Sequence, residues 1–205
     1  MTKARGVSRE STDVGYSRRS ILMRTLISFL LVVMIMIGLT ILIIWVTLKP
    51  RKPVFIVTGA SIDKYKLSKD HHLDASYTID LYSFNPDKKM SIQYKKLDVT
   101  IMFEDETVAN GVISSWHQHS RKKWNYKLDL ESHNVELSSA LSQHLELAKS
   151  SNKAALSVML KGKIRSKMGI WRSKYYHMKV SCLHLMVPFS NSSGRYQGTL
   201  CDVHI

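Results

Sequence analysis

The stretch LSVMLKGKIRSK, residues 156–167, decides the fold class, because apolar and polar residues alternate along it. A period of two places successive side chains on opposite faces of a β-strand. The same alternation recurs in residues 75–82, 96–103 and 176–182, which predicts a mainly β protein. The predicted inward positions are Leu156, Val158, Leu160, Ile164, Ala75, Tyr77, Ile79, Leu81, Leu97, Val99, Ile101, Phe103, Tyr176, Met178, Val180 and Cys182.

One segment follows a helical period and predicts a single helix near residues 135–149, with Asn134 as its N-cap and Lys149 in its last turn. Its apolar positions are Leu137, Leu141, Leu145 and Ala148. The apolar positions change phase after Cys182, which predicts a β-bulge there. The positions on the new phase are Leu183, Leu185 and Val187. Many short strands and one helix together predict a β-sandwich with an inserted helix.

An uncharged apolar run of 24 residues, 25–48, lies near the N-terminus. A helix of this length is about 36 Å long and crosses a hydrocarbon layer of ~30 Å. Arg24 and Lys49 bracket the run, and Trp45 suits a membrane interface. A cleaved signal peptide has a shorter apolar core, and a globular core helix keeps a polar face. We therefore predict a retained single-pass transmembrane helix.

This helix divides the chain into a basic disordered tail at 1–24, the span, and one domain at 49–205. The tail is predicted to contact anionic lipid through Arg18, Arg19 and Arg24. Each flank of the span carries five Lys/Arg within about 20 residues, so the positive-inside rule does not decide the orientation.

Positive charge is concentrated towards the C-terminus. The net charge is +14, and residues 147–201 contain ten Lys/Arg and no Asp/Glu. Cations spaced two apart line one face of the 156–167 strand, and a residue of a neighbouring strand joins them. These residues are Lys161, Lys163, Arg165, Lys167 and Lys179. They form either a solvated face that discourages edge pairing or a docking face for an anionic partner, such as lipid headgroups or acidic polysaccharide.

No catalytic or cofactor-binding motif is found, so we predict a protein that is not an enzyme and uses no cofactor or metal. His117 and His119 have a spacing that allows metal sharing, but no third ligand is evident, and the cations at 121–123 would repel a metal ion. Aromatic and basic residues mix near Trp171 without any recognisable nucleic-acid-binding module. Nucleic acid is therefore not a predicted partner.

Two features bear on the compartment. Asn191 begins the one N-glycosylation sequon, Asn191-Ser192-Ser193, and is the candidate glycosylation site. Cys182 and Cys201 either form a disulfide, as an extracytoplasmic domain permits, or leave Cys182 as a buried free thiol. The sequence leaves both alternatives open.

Several pieces that follow the span in order carry a family resemblance. Asn85-Pro86-Asp87, followed by Ile92-Gln93-Tyr94, resembles an N-P-N turn and a strand with a tyrosine. Trp116-His117-Gln118 resembles an F-x-Q patch, and residues 163–185 and 198–203 resemble the late strands and the ending of the same pattern. The pattern is that of plant harpin-induced, non-race-specific disease resistance-like membrane proteins, which carry a late-embryogenesis-abundant type 2 (water stress and hypersensitive response) domain.

The resemblance implies a seven-strand sandwich like a fibronectin type III domain. It also implies an uncleaved anchor with the tail in the cytosol and the domain outside the plasma membrane; plasmodesmata and endomembranes are alternative locations. The implied role is in plant defence and stress response, without catalysis, through contact with cell-wall polysaccharide or a protein partner. The alternative function is a cytosol-facing lipid-binding or tethering domain at an endomembrane. The oligomeric state stays open.

Overall fold

The fold is that of a computed structural model, which describes residues 14–47, 51–189, 196 and 198–205. The chain divides into two compact units, residues 1–49 and residues 50–205. The first contains a long helix and the second a β-rich domain, and each is described by itself.

Helix α1 runs from Val14 to Thr47, and its segment Ile21–Ile43 is long and apolar enough to cross a membrane. The helix is therefore compatible with the predicted membrane anchor. It begins eleven residues before residue 25, so residues 14–24, predicted as part of a disordered tail, are helical. Once an apolar run has nucleated a helix, adding good helix formers such as Arg, Leu and Met at its end is favourable.

Eleven strands and a second helix follow in the described residues, and seven of the strands have eight or more residues. The long strands are β1 (Val54–Leu67), β2 (His72–Phe84), β3 (Ser91–Phe103), β4 (Glu106–Ile113), β6 (Lys123–Glu136), β7 (Lys153–Met168) and β9 (Tyr176–Pro188). The short strands are β5 (Trp116–Gln118), β8 (Trp171–Arg172), β10 (Thr199–Leu200) and β11 (Asp202–His204), and helix α2 (Ser139–Ser150) lies between β6 and β7.

The strands form two antiparallel sheets. The first has the order β10-β1-β2-β6, and the second has the order β11-β9-β7-β3-β4, with β5 beside β3 and β8 beside β7. Three long strands in one sheet and four in the other make the seven-strand sandwich that the resemblance implied. The predicted fold class, mainly β with one inserted helix and an N-terminal apolar helix, is confirmed.

One apolar core lies between the two sheets. The predicted inward positions are buried except Tyr176, the first residue of β9, which is exposed. Phe55 of the first sheet and Tyr94 of the second meet edge to face, with ring centres 6.2 Å apart. Both rings are fully buried, and each such burial contributes about 1.5–3 kcal/mol.

Helix α2 begins later than predicted, because strand pairing extends to Glu136 of β6. The predicted N-cap, Asn134, lies within β6 at φ 50, and its N–H donates to Asp74. The actual N-cap is Ser138, whose Oγ accepts a hydrogen bond of 3.3 Å from the N–H of Leu141. The confirmed features are buried Leu137, Leu141 and Leu145, and Lys149 in the last turn.

The β-bulge predicted after Cys182 is present. The register between β7 and β9 shifts there, and His184 has a φ of 54. Leu185 and Val187 are buried as predicted, but Leu183 is exposed. The prediction for Leu183 is wrong because the bulge turns two consecutive residues away from the core.

The last strands belong to both sheets. β10 pairs with β1 in the first sheet, and β11 pairs with β9 in the second. Cys201 lies between them, where its N–H donates to the carbonyl of Phe55 at 2.9 Å. Its sulfur forms a disulfide with Cys182 of β9. The two cysteines therefore form the disulfide, which was one of the two alternatives that the sequence left open. The disulfide links the segment between β10 and β11 covalently to the second sheet.

Replacing both cysteines, as Cys182→Ala with Cys201→Ala, should lower the free energy of unfolding by about 3 kcal/mol, because the disulfide closes a short loop in the unfolded chain. The two residues are 19 apart in sequence. Urea unfolding of the full chain in detergent, followed by the circular dichroism of the strands, measures this. The neighbouring Ser181→Ala is the control, and equal stability of the parent and the double variant would contradict the expectation.

Candidate functional site

The candidate site is the outer face of the second sheet, where β7 carries the cations selected from the sequence. Lys161, Lys163 and Arg165 alternate with the buried Leu160 and Ile164. Because side chains alternate along a strand, the three cations point away from the core. They therefore lie on one solvent-facing row.

Neighbouring strands add charge to this row. On β9, Lys179 is the cross-strand partner of Lys161, and His177 is the partner of Lys163. On β11, His204 is the partner of Lys179. Directly opposed residues in a sheet have Cβ atoms about 4.5–5.5 Å apart, so these side chains share one surface.

β3 contributes two lysines that the sequence analysis did not assign to this face. The register between β3 and β7 shifts between Tyr94 and Leu97, and Lys95 and Lys96 are both exposed. In a regular strand, one of two consecutive residues would point into the core. The break in apolar phase between Tyr94 and Leu97 is the signal that could have located this bulge.

A glycine of β7 lies directly opposite the bulge. A Cβ at Gly162 would clash with the side chain of Leu97 and lie 2.9 Å from the carbonyl oxygen of Lys96. The missing side chain therefore allows the bulged backbone of β3 to approach β7 closely. Gly162 is also one of the residues that line a shallow depression in the cationic surface.

We refer to the seven Lys/Arg side chains of this surface as the basic face: Lys95, Lys96, Lys161, Lys163, Arg165, Lys167 and Lys179. Five of them line a shallow groove of about 560 Å³ together with His177, His204 and Asp98. Among the described residues, no carboxylate oxygen lies within 4.0 Å of a nitrogen of the basic face. Seven clustered cations with one carboxylate, Asp98, beside them create a positive potential that attracts anions.

Arg165 is the most constrained cation of the basic face. Its Nε and Nη2 donate to Oε1 of Gln93 at 2.9 and 2.6 Å. Its Cζ lies 4.8 Å from the centre of the Tyr175 ring, and Lys95 Nζ lies 4.3 Å from the same centre. Cation–π and hydrogen-bond contacts orient the guanidinium before any ligand binds.

The structure brings most of the predicted face together but not all of it. Lys161, Lys163 and Lys179 line the groove, with Arg165 beside it, whereas Lys167 lies farther along β7, paired with Ser91. Of the other predicted site residues, Arg24 is exposed on α1. Two of the predicted site residues, Lys49 and Asn191, lie outside the described residues. For Arg18, Arg19 and Trp45 the structure describes the backbone only.

The motif residues behind the resemblance meet in a buried polar cluster. The Oε1 of Gln118 accepts hydrogen bonds from Ser83 Oγ and Tyr94 Oη at 3.3 and 3.0 Å. Its Nε2 donates to the carbonyls of Ser83 and Lys122 at 3.1 and 2.9 Å. Burial raises the pKa of Tyr94, so its hydroxyl keeps the proton that it donates. Both donors and the acceptor of this buried amide are satisfied.

The turn after β2 is built by the side chains of Asn85 and Asp87. Asn85 Nδ2 donates to the carbonyls of Met90 and His119 at 2.9 and 3.3 Å, and its Oδ1 accepts from the N–H of Asp87. Asp87 Oδ1 accepts from the N–H groups of Lys89 and Met90 at 2.9 and 3.0 Å. Aspartate at the position of the pattern's second Asn thus serves as an acceptor for the turn.

An aromatic stack extends the same cluster. The rings of Tyr94, Trp116, Trp124 and Tyr126 lie nearly parallel, with successive centres 4.0, 4.2 and 4.9 Å apart. The stack joins β3 and β5 of the second sheet to β6 of the first. The tyrosine and the Trp116–Gln118 patch of the resemblance therefore help to hold the two sheets together, whereas its residues 163–185 carry part of the basic face.

The part of the chain that contains these clusters matches a known family. Residues 80–182 match the sequence profile of LEA_2, late embryogenesis abundant protein, which is half of the chain. The matched segment contains the polar cluster and the whole basic face. The chain belongs to the LEA_2 family.

Relatives of this LEA_2 chain occur in Arabidopsis thaliana. NDR1/HIN1-like protein 1 is 29% identical over 171 residues, which cover 82% of this chain and 81% of that protein. NDR1/HIN1-like protein 26 is 28% identical over 174 residues, which cover 82% of each. These relatives confirm the resemblance drawn from the sequence.

A crystal structure of a protein from Archaeoglobus fulgidus aligns with 62% of this chain and 96% of its own, at 13% identity and a TM-score of 0.29.

The two histidines considered as metal ligands are neighbours in this LEA_2 domain. The rings of His117 and His119 have centres 4.6 Å apart. Desolvation, and then the nearby His119 and Lys167, lower the pKa of His117. Among the described residues, no group of three His, Cys, Asp or Glu side chains is placed to hold a metal ion.

Replacing Gln118 with Leu should lower the free energy of unfolding of this LEA_2 domain by at least about 2 kcal/mol, because buried Ser83 and Tyr94 hydroxyls lose their acceptor. Thermal unfolding of the full chain in detergent, followed by circular dichroism, measures the change. Gln143→Leu makes the same substitution at an exposed position of α2 and should have little effect. Equal losses in the two variants would show that the amide cluster has no special role.

Proposed function

We propose that this protein is a non-enzymatic, single-pass plasma membrane protein of plant defence and stress response. Its sandwich faces the outside of the cell, and its basic face binds acidic polysaccharide of the cell wall or an acidic surface of a protein partner. Membership of the LEA_2 family and the NDR1/HIN1-like relatives support the role in stress and defence.

The observation that carries the binding proposal is the basic face. Its seven cations have one carboxylate, Asp98, in the groove that most of them line. A linear polymer with regularly spaced carboxylates places many negative charges along such a face at once. Electrostatic complementarity of this kind raises the association rate and selects against cationic and neutral partners.

The outside location is supported by the disulfide between Cys182 and Cys201. Disulfides persist in oxidising compartments and are rare in the cytosol. The sequon at Asn191 agrees with the same location, because N-glycosylation occurs on lumenal and extracellular segments.

A cytosol-facing tether at an endomembrane is the second candidate, because a lysine-rich sheet face also attracts anionic lipid. The two candidates differ in the side of the membrane and in the ligand, so each has its own test.

Protease treatment of sealed microsomes tests the side. We expect a C-terminal tag on the full chain to be protected from protease, and Asn191→Gln to remove any glycan shift on gels. Detergent should make the tag sensitive, which controls for an intrinsically resistant tag. Digestion of the tag in sealed vesicles would contradict the outside location and favour the tether.

Charge reversal tests the ligand. The test compares the parent with the triple variant Lys161→Glu, Lys163→Glu, Arg165→Glu, each as the full chain in nanodiscs. The variant should bind polygalacturonate about tenfold more weakly or worse, since rows of opposite charge drive association. Co-sedimentation at rising salt measures binding, which should fall as salt screens the charges.

The matched control reverses three exposed lysines outside the basic face, as Lys66→Glu, Lys69→Glu, Lys127→Glu. It changes the net charge equally and should bind as the parent does. Equal loss in both variants would show a general charge effect. Binding to anionic vesicles with none to polygalacturonate would favour the tether.

A further inference from the structure

One end of the sandwich gathers the first residues of the domain and three of its loops. β1 begins at Val54, which pairs with Phe84 at the end of β2, and Lys123 of β6 pairs with Phe84 from the other side. The turn after β2 leads to Ser91, which pairs with Lys167 next to the β7–β8 hairpin. We refer to this end as the proximal end; it comprises residues 51–53, 85–90, 119–123 and 169–175.

Among the described residues, the two ends of the sandwich carry opposite charge. The proximal end contains nine Lys/Arg and one acidic residue, Asp87, whose Oδ1 is occupied by two backbone N–H groups. The connections at the opposite end, residues 68–71, 104–105 and 137–152, contain four acidic residues and two lysines. The basic face lies on the side of the second sheet and adjoins the proximal end, where Lys167 pairs with Arg172.

The β7–β8 hairpin projects apolar side chains from the proximal end. Ile170 is 91% exposed and Trp171 is 75% exposed, the highest values among the large hydrophobic residues that the structure describes. Gly169, at φ 57, forms the turn, and Arg172 and Lys174 on the same hairpin are exposed. Two adjacent, almost fully exposed apolar side chains with flanking cations form an amphipathic tip.

We infer that the proximal end docks on the interface of the lipid bilayer, with Ile170 and Trp171 inserted below the headgroups and the surrounding cations on phosphate oxygens. Tryptophan favours this interface, because its ring is apolar and its N–H can still be hydrated. Clustered lysine and arginine side chains attract anionic headgroups. The same end thus carries both kinds of group that a bilayer interface binds.

The chain length agrees with this occupant. Only six residues, 48–53, separate the last residue of α1 from the first residue of β1. A segment of that length spans at most about 25 Å when fully extended. A bilayer crossed by α1 is therefore within covalent reach of the end where β1 begins. This inference rests on the membrane anchor of the proposed function, and it depends neither on the side of the membrane nor on the ligand of the basic face.

The test places the full chain in nanodiscs of phosphatidylcholine and phosphatidylserine in which part of the phosphatidylcholine is brominated near the headgroup. The fluorescence emission of Trp171 is obtained by subtracting the emission of the Trp171→Phe variant from that of the parent. We expect the brominated lipid to quench most of this emission, and aqueous iodide to quench little of it. The reverse pattern would overturn the inference.

A matched control moves the probe to the opposite end. Leu147 of α2 is 66% exposed, so Leu147→Trp in the Trp171→Phe background reports on that end. Its emission should respond to iodide and not to brominated lipid. Equal lipid quenching at both positions would mean unspecific adsorption and would also overturn the inference.

A third arm tests the cations. Lys88→Glu, Lys89→Glu, Arg172→Glu should reduce lipid quenching of Trp171, whereas Lys66→Glu, Lys69→Glu, Lys153→Glu, away from the proximal end, should leave it unchanged. Protection of Trp171 from iodide by polygalacturonate, without lipid quenching, would assign the tip to polysaccharide instead. If α1 does not anchor the chain in the membrane, the chain separates from the nanodiscs on flotation. That result would contradict the proposed function and is distinguishable from a change in quenching.

Discussion

The side-chain amide of Gln118 is the constraint on which one end of this sandwich depends. It is buried, and it binds the end of β2, the start of β3 and the loop that precedes β6. A buried amide in such a position is costly unless each of its groups is paired, so the three segments hold one arrangement. The bulge that exposes Lys95 and Lys96 begins immediately after Tyr94, the hydroxyl partner of this amide. The bulge that helps to line the groove therefore lies directly next to a buried contact inside the domain.

The same strands serve two purposes on their two faces. The inner positions of β3 and β7 pack the core, and the outer positions carry the basic face. Because side chains alternate, the outer face is free to vary in charge while the inner face keeps the fold. Asn85, Asp87, Tyr94 and Gln118 of the resemblance lie in the core or in the turn next to it, so they do not by themselves name a ligand.

The period of two in the sequence predicted four of the seven long strands, β2, β3, β7 and β9, and nearly all of their listed inward positions, because burial on one face imposes that period directly. It did not assign β1, β4 and β6. The outward positions of Leu183, Lys95 and Lys96 were not predicted, although both bulges leave a break in apolar phase. The break marks the place of a bulge, but pairing with the neighbouring strand decides which residues turn outward. The predicted start of α2 was wrong because pairing with another strand decides this boundary too. β6 pairs with β2 as far as Glu136, so the helix begins later, with Ser138 as its N-cap. The cations on β7 could be grouped from their spacing alone. Their neighbours on β3 and β11 depend on strand order, which the sequence does not state.

The C-terminal segment that crosses between the sheets has a mechanical consequence. Tension between a membrane and a polymer on the basic face would enter the domain at β1 and leave it through β7 and β9. The two sheets meet through an apolar core, whose side chains slide past one another without breaking a bond, and through the hydrogen bonds of the buried Gln118 amide near one end. β10, Cys201 and β11 offer a second path, since β10 is hydrogen-bonded to β1 and Cys201 is covalently joined to β9. The pulling force would then pass from one sheet to the other along the backbone of the C-terminal segment and through the disulfide bond. The apolar core would not have to resist a shearing force between the sheets.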